Sequence, residues 1–291
     1  MHSTAAAAAP YAEQGHDAVR ATFELTWFER KIACLLRVAR GGEVLDLGCG
    51  DGAVTRLAAG RLSRYVGVDF SPPPLPANQT GVNYVDHDLR EGIGPVGARP
   101  FDLYLGTFGV ASHLSPRELR RLLCDLSAHA RPGAVVAIEA LGRDSLEWPQ
   151  LWDTAPGRAR TIPYSLAAEV LVHPWSPAEL FGLFAQAAIE PLRAFDRTLQ
   201  AGPKTACYSP GLPALRGTLN AMLEGSPAPG ELAAALPPLP AGRAALVHHT
   251  LAGLRRALLA AGPVTASAIW GLEPPTGGGF GHGLLVVGRV L

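Results

Sequence analysis

The sequence predicts an α/β protein built on a doubly wound, mostly parallel sheet of seven strands, the last one antiparallel. An N-terminal helical segment precedes the sheet, and a helical lid is inserted before the final strand. Three observations carry this expectation. Apolar strands alternate with amphipathic helices from residue 42 to about residue 141, the pattern of βαβ units. The first strand runs into a glycine-rich turn, "VLDLGCGDGAV", with glycines at positions 48, 50 and 52. The terminal strand, "HGLLVVGRVL", lies far from the sixth, so the residues between them read as an insertion.

The elements follow in order. From His16 to Arg40, Val19, Phe23, Trp27, Ile32, Leu35 and Leu36 recur at helical spacing, and Gly41-Gly42 stops the helix. "EVLDLG" is the first strand and "AVTRLAAGRLS" the helix after it; "RYVGVDF", "GVNYVDHDL" and "FDLYLGTF" are the second, third and fourth strands. The link "SPPPLPANQT" between strands two and three is too rich in proline for a regular helix. "SPRELRRLLCDLSAHA" is an amphipathic helix, capped by Ser115 with Pro116 at its first position. "RPGAVVAIEAL" is a turn and the fifth strand, "SPAELFGLFAQAAI" a helix and "EPLRAFDRTL" the sixth strand. Two helical pieces, around 212–224 and 243–261, fall in the insertion. The expected organisation is a tail and capping helix over 1–41, a ligand-binding core over 42–199 with an insertion at 144–175, a helical lid over 200–281, and the final core strand over 282–291.

Composition narrows the function. The chain has 291 residues, 48% hydrophobic, with 25 basic and 25 acidic side chains. A neutral balance gives no electrostatic reason to bind nucleic acid or an anionic membrane. Cys34, Cys49, Cys124 and Cys207 are widely spaced with no CxxC pair, which speaks against a metal cluster or a disulfide framework. The start "MHSTAAAAAP" lacks the basic flank of a signal peptide, and no apolar run nears the ~18 residues of a membrane span. A cytoplasmic monomer or homodimer acting on a small molecule is expected.

The glycine turn carries the most information. A dinucleotide fingerprint spaces its glycines G-x-G-x-x-G, whereas this turn reads G-x-G-x-G with Asp51 directly after Gly50. A carboxylate there opposes a pyrophosphate and suits a ligand with a positive centre. With "VGVDFS", "VNYVDHDL", "FDLYLGTFGVASHLS" and "ARPGAVVAIEAL" following in order, the chain resembles the class I S-adenosylmethionine-dependent methyltransferases of small-molecule type. The resemblance is close over about 42–143 and looser over 176–199 and 282–291. It implies a Rossmann-like fold, S-adenosyl-L-methionine as cofactor and methyl transfer as the reaction.

The resemblance also implies site residues. Asp69, at the tip of the second strand, would accept the ribose hydroxyls. Asp88, with Asp86 as the alternative, would accept the adenine amino group, Leu89 would offer its backbone N–H to adenine, and Phe70 would pack on the adenine face. Gly48, Cys49 and Gly50 would lie under the methionine part, Asp46 would help orient its amino group, and Thr107 would line the pocket. Cys49 reads as a small packed residue rather than a nucleophile. Tyr11 would fold over the cofactor from the N-terminal segment. Phe108 and Trp175 would wall the acceptor pocket.

Methyl transfer needs alignment and, for a hydroxyl acceptor, a base. His113, just after the fourth strand, and His173, before the helix that leads to strand six, are the candidate bases. Of His248 and His249, at most one can face inward from a helix. His282 follows a glycine run and reads as exposed. No catechol-type metal site is evident, because Asp144 and Asp153 lack a third ligand. The expected function is methyl transfer to a small organic acceptor, at a hydroxyl oxygen of a specialised metabolite. An N-methyltransferase that needs no base, and a methyltransferase fold using the cofactor structurally for a cyclisation or rearrangement, stay open.

Overall fold

A computed structural model describes residues 18–70, 81–152, 161–165, 169–197, 215–224, 229–236, 238, 245–260 and 277–291. The long N-terminal helix, already helical at residues 18–19, takes a π-helical turn over Arg20–Glu24 and continues as α1, Leu25–Ala39. Its chain reversal uses Arg40, not a glycine, in the left-handed region (φ 57°). The two glycines that follow serve close approach instead. A Cβ on Gly41 would lie 2.0 Å from an Asp102 carboxylate oxygen, and one on Gly42 2.6 Å from the Arg61 carbonyl.

Strands β1 (Glu43–Leu47), β2 (Arg64–Asp69), β3 (Val82–Asp86), β4 (Leu103–Gly106) and β5 (Val135–Leu141) pair in parallel. Helix α2, Ala53–Leu57, follows β1 and is shorter than its sequence pattern promised. Helix α3, Pro116–His129, follows β4. The stretch after β5 holds a two-stranded antiparallel hairpin of β6 (Ile162–Ser165) and β7 (Glu169–Val172), which alternation in the sequence did not reveal. Then come α4 (Pro177–Gln186), β8 (Ile189–Arg197), α5 (Leu215–Leu223), α6 (Pro229–Ala235), α7 (Ala245–Ala260) and β9 (Gly283–Val290). The seven-stranded sheet runs β3-β2-β1-β4-β5-β9-β8, and β9 is antiparallel to both its neighbours. The sequence expectation of seven strands with an antiparallel last one holds.

Alternation along each strand divides the core in two. On one face Leu45, Leu47, Val66, Val68, Tyr104, Val136 and Ile138 pack with Leu119, Leu122, Leu123 and Leu126 of α3 and Leu180 and Phe184 of α4. On the other, Val44, Tyr65, Leu103, Leu105, Val135 and Ala137 pack with Trp27, Phe28, Ile32, Leu35 and Leu36 of α1. Each fully buried Val, Leu, Ile or Phe among them contributes about 1.5–3 kcal/mol of hydrophobic stabilisation. Strand order reverses between β1 and β4, so the crevice for a ligand opens outside the carboxyl ends of those two strands. No helix among the described residues is long and apolar enough to cross a membrane.

Both Ser-Pro starts form full capping boxes. Ser115 Oγ accepts the Glu118 N–H while Glu118 accepts the Ser115 N–H at 2.7 Å, and Ser176 and Glu179 repeat the arrangement on α4. Ser115→Ala leaves an N-terminal amide of α3 without its cap and should cost about 1 kcal/mol, read as a lower urea midpoint at unchanged slope.

Candidate active site

The glycine loop is bent by all three of its glycines. Gly48, Gly50 and Gly52 have φ of 68°, 50° and 71°, a region that side-chain-bearing residues rarely adopt. The loop is tied to the next strand. Gly48 N–H donates to the Val68 carbonyl at 2.7 Å, and Gly50 N–H donates to Asp69 Oδ2 at 2.9 Å. A Cβ on Gly48 would meet Val110 at 2.7 Å, whereas one on Gly50 would meet nothing within 4 Å. Gly50 therefore presents bare backbone to open space above the switch point.

Asp46 lies beneath this loop and is fully buried. Tyr65 donates its hydroxyl to Asp46 Oδ2 at 2.6 Å, while Oδ1 has no hydrogen-bond partner. Burial chiefly, with the charges of Asp69 and Asp51, pushes the Asp46 carboxyl up to about 7 against the lowering effect of the Tyr65 hydroxyl. A buried carboxylate oxygen without a donor is costly, and a cation placed there would satisfy it. Cys49 turns inward. A Cβ on Gly67 would lie 2.8 Å from its sulfur, and burial pushes its thiol pKa up, so it is a packed residue whose backbone alone belongs to the loop. Asp51 points to solvent, bonded to Arg56 at 2.7 Å and to the Ala53 N–H at 3.1 Å.

Beside the loop, Phe70 is exposed directly after Asp69. Asp88 caps the short turn Leu89–Glu91 through the Arg90 N–H and pairs with the Arg90 guanidinium, which holds its carboxyl below the usual range. Leu89 is buried under the loop, and Asp86 is exposed at the end of β3. Thr107 is buried after β4. Phe108 adopts a left-handed φ of 55°, a strain that marks functional turns, and its ring packs on Phe28 at 4.4 Å between centroids. Tyr11 lies outside the described residues.

The turn Val110–His113 is bound to its surroundings on two sides. Ser112 Oγ accepts the Leu141 N–H at 2.8 Å, and the Ser112 carbonyl accepts the His173 N–H at 2.8 Å. The Trp175 indole donates to the Ala111 carbonyl, and its ring lies 4.4 Å from that of His173. The two histidines read from the sequence thus share one block at the carboxyl edge. His113 is exposed at the edge of the turn, yet the atoms packed around its ring desolvate it and push its pKa down to about 4. His173 is buried behind Trp175, with its pKa also lowered by burial and its Nδ1 without a partner. Among the nearby carboxyls, burial raises Asp144 to about 6. His249 is exposed on α7, while the side chain of His248 and the whole of Asp153 lie outside the description.

A set of buried charges that the sequence reading missed lies at the same edge. Arg197, at the end of β8, bonds Glu139 of β5 through Nε and approaches Glu24 at 3.6 Å. Glu24 in turn bonds Arg216 of α5 at 2.7 Å, and Glu139 Oε2 accepts the Gly109 N–H at 3.2 Å. The Arg197 guanidinium lies over the Phe28 ring at 5.0 Å. The legible signal was Glu139, an acid inside the otherwise apolar strand "VVAIEAL". A correction concerns His282. It is 3% exposed rather than at the surface, and its Nδ1 lies 2.6 Å from Glu147 Oε2, with Glu147 itself fully buried.

The fold and the loop define a Rossmann-like domain with a ligand crevice at the β1–β4 switch. Residues 44–133 match the family described as "Methyltransferase domain". Over 143 residues the chain is 34% identical to malonyl-[acyl-carrier protein] O-methyltransferase of Salmonella typhimurium, covering 48% of this chain and spanning 55% of that relative's length. Among solved structures, it is similar to the Burkholderia thailandensis 1,6-didemethyltoxoflavin-N1-methyltransferase with bound 1,6-didemethyltoxoflavin and S-adenosylhomocysteine. The TM-score is 0.46 at 22% identity, over 65% of this chain and 79% of that one. It is also similar to a SAM-dependent methyltransferase from Archaeoglobus fulgidus, with TM-score 0.48 at 14% identity over 91% and 94% of the two chains. The match to a methyltransferase domain thus falls on the segment that carries the glycine loop and the switch point, and the chain spans about half the length of the curated relative.

Arg197→Ala strands Glu24 and Glu139 as buried, uncompensated charges. Its unfolding free energy should fall by about 3–5 kcal/mol in urea titration. A loss below about 1 kcal/mol would mean that water enters the network.

Proposed function

We propose that this chain binds S-adenosylmethionine in the glycine cradle and transfers its methyl group to a hydroxyl oxygen of a small organic acceptor. The observation that carries the reading is the unpartnered Oδ1 of Asp46, buried under a loop whose Gly50 backbone faces open space. An α-ammonium group supplies the missing donor and charge. The backbone of Gly48, Cys49 and Gly50 would underlie the methionine part, with Thr107 beside it. Asp69 would take the ribose hydroxyls, Phe70 the adenine face, and Asp88 and Leu89 the adenine edge, with Asp88 shared between Arg90 and the base. Bound there, the cofactor supplies a methyl group on a sulfonium that leaves as a neutral thioether. The protein's part is then alignment and proton removal.

The acceptor side would be formed by Phe108, His113, His173 and Trp175, which border the carboxyl ends of β4 and β5. The name of the Salmonella relative gives oxygen as the methyl acceptor, which supports oxygen over nitrogen. His113 and His173 were the bases expected from the sequence. With desolvation the leading cause of both shifts, each is a weak proton acceptor.

Calorimetry tests the cofactor reading. Asp69→Ala should weaken S-adenosylmethionine binding at least tenfold, about 1.4 kcal/mol. The ammonium group favours ionised Asp46, so binding below the raised pKa must expel a proton. Affinity should therefore rise with pH, by up to tenfold per unit, until about pH 7, and then level off. Asp46→Asn should weaken binding and flatten this dependence. Wild-type protein that binds neither the cofactor nor its demethylated product would end the proposal.

A further inference from the structure

We propose that His282, oriented by Glu147, is the general base of this site and that the methyl acceptor is a neutral hydroxyl whose proton it takes. This rests on the cofactor reading above and adds the proton acceptor that reading lacks.

Position is the first argument. His282 directly precedes β9, and because β9 runs antiparallel, it sits at the carboxyl end of β5. Its carbonyl accepts the Gly142 N–H at 3.0 Å, one residue from Leu141, whose own N–H is held by Ser112 next to His113. His282 therefore shares the edge that carries the methyl-acceptor wall.

Chemistry is the second. With Nδ1–H donated to Glu147 Oε2 at 2.6 Å, the neutral ring keeps its lone pair on Nε2. Glu147 is itself fixed, since Ser145 Oγ donates to the same Oε2 at 3.2 Å and accepts the Glu147 N–H at 3.3 Å. A base held by a third group in its correct tautomer is the arrangement that proton-removing sites require. The Trp148 ring, 6.4 Å from His282, is fully buried and helps keep bulk water off the pair.

Electrostatics is the third. The groups that face His282 are Glu147 from the loop after β5, Glu24 from the N-terminal segment, and Glu139 with Arg197 across Gly283. A Cβ on that glycine would strike the last two. The carboxylates of Glu147, Glu24 and Glu139 outnumber Arg197 and Arg216 here, so the positive charge that proton transfer would place on the ring is countered. In the transfer, the acceptor's O–H bond breaks and its proton passes to Nε2. The new O–CH3 bond forms as the methyl–sulfur bond breaks, and sulfur keeps that electron pair.

Two measurements test this on the full chain. In ¹⁵N-imidazole NMR without cofactor, His282 should show the Nδ1–H tautomer, with a strongly hydrogen-bonded Nδ1–H proton signal that Glu147→Gln weakens. The Nε2–H tautomer, or an Nδ1–H signal that Glu147→Gln leaves in place, would overturn the dyad. In transfer of labelled methyl to phenol and 4-nitrophenol, His282→Ala and the closer-shaped His282→Gln should each lose about 10²–10⁴-fold in kcat with cofactor affinity unchanged. The loss should be smaller for the more acidic 4-nitrophenol, and Glu147→Gln should lower kcat in the same substrate-dependent way. Equal losses on both phenols, full activity in His282→Gln, or the whole loss appearing in His113→Ala would overturn the assignment. Wild-type protein that binds cofactor at full affinity but methylates neither phenol would count against the hydroxyl acceptor and its base, and leave the cofactor reading standing.

Discussion

The guanidinium of Arg197 is the point on which the carboxyl edge of the sheet depends. It comes from the end of β8, bonds Glu139 in β5, and reaches Glu24 ahead of α1, which itself holds Arg216 of α5. Four separate parts of the chain are tied through one fully buried cation. Charges so placed are expensive to bury, and replacing them by apolar groups is often neutral or stabilising. Their use here is therefore geometric. Glu139 spends its second oxygen on the Gly109 N–H, which fixes the turn after β4 where Phe108 holds its left-handed conformation.

The opposite end of the crevice works by the same logic with the sign reversed. Asp46, Asp51 and Asp69 crowd the glycine loop, and their mutual repulsion adds to the burial that lifts Asp46. Asp69 is partly discharged by the Gly50 N–H, and Asp51 by Arg56 and solvent. Asp46 alone keeps an unsatisfied oxygen. The loop is thus a negative cradle with one opening for a cation, in contrast to the amide-rich, positive cradles that bind phosphate. Gly67 is part of that cradle at one remove. Without a side chain it lets Cys49 fold beneath the loop, which brings the Asp46 layer and the glycine turn into contact.

Much of this was legible in the sequence where the physics is local. Strand order follows from alternating apolar segments, the left-handed loop from three glycines at two-residue spacing, and both caps from Ser-Pro-x-Glu. Asp69 was legible because a strand end nineteen residues beyond Gly50 has few places to go. The charge network was not, because its partners lie 58 residues apart for Arg197 and Glu139 and 192 apart for Arg216 and Glu24. His282 was misjudged for a related reason. A histidine after a glycine run looks exposed, and only the antiparallel return of β9 buries it beside Glu147, 135 residues earlier. The β6–β7 hairpin escaped notice because proline and the short strands mask its alternation.

The two ends of the crevice meet through the N-terminal segment. The π-helical turn over Arg20–Glu24 changes the helical phase directly ahead of α1. Such turns are rare and concentrate at functional sites. Here the phase change accompanies a division of labour. Residues of α1 from Trp27 onward face the apolar sheet, while Glu24, a few residues earlier, faces the buried arginines. The Val19 N–H donates to the side-chain Oδ1 of Asn220 on α5 at 2.9 Å. The segment and α5 are therefore fastened to each other and, through Arg197, to the strand ends. Parting this segment from α5 would separate Glu24 from its arginines and expose charges that are otherwise sealed. Exposed to water, those charges regain their hydration, which offsets part of the cost of opening.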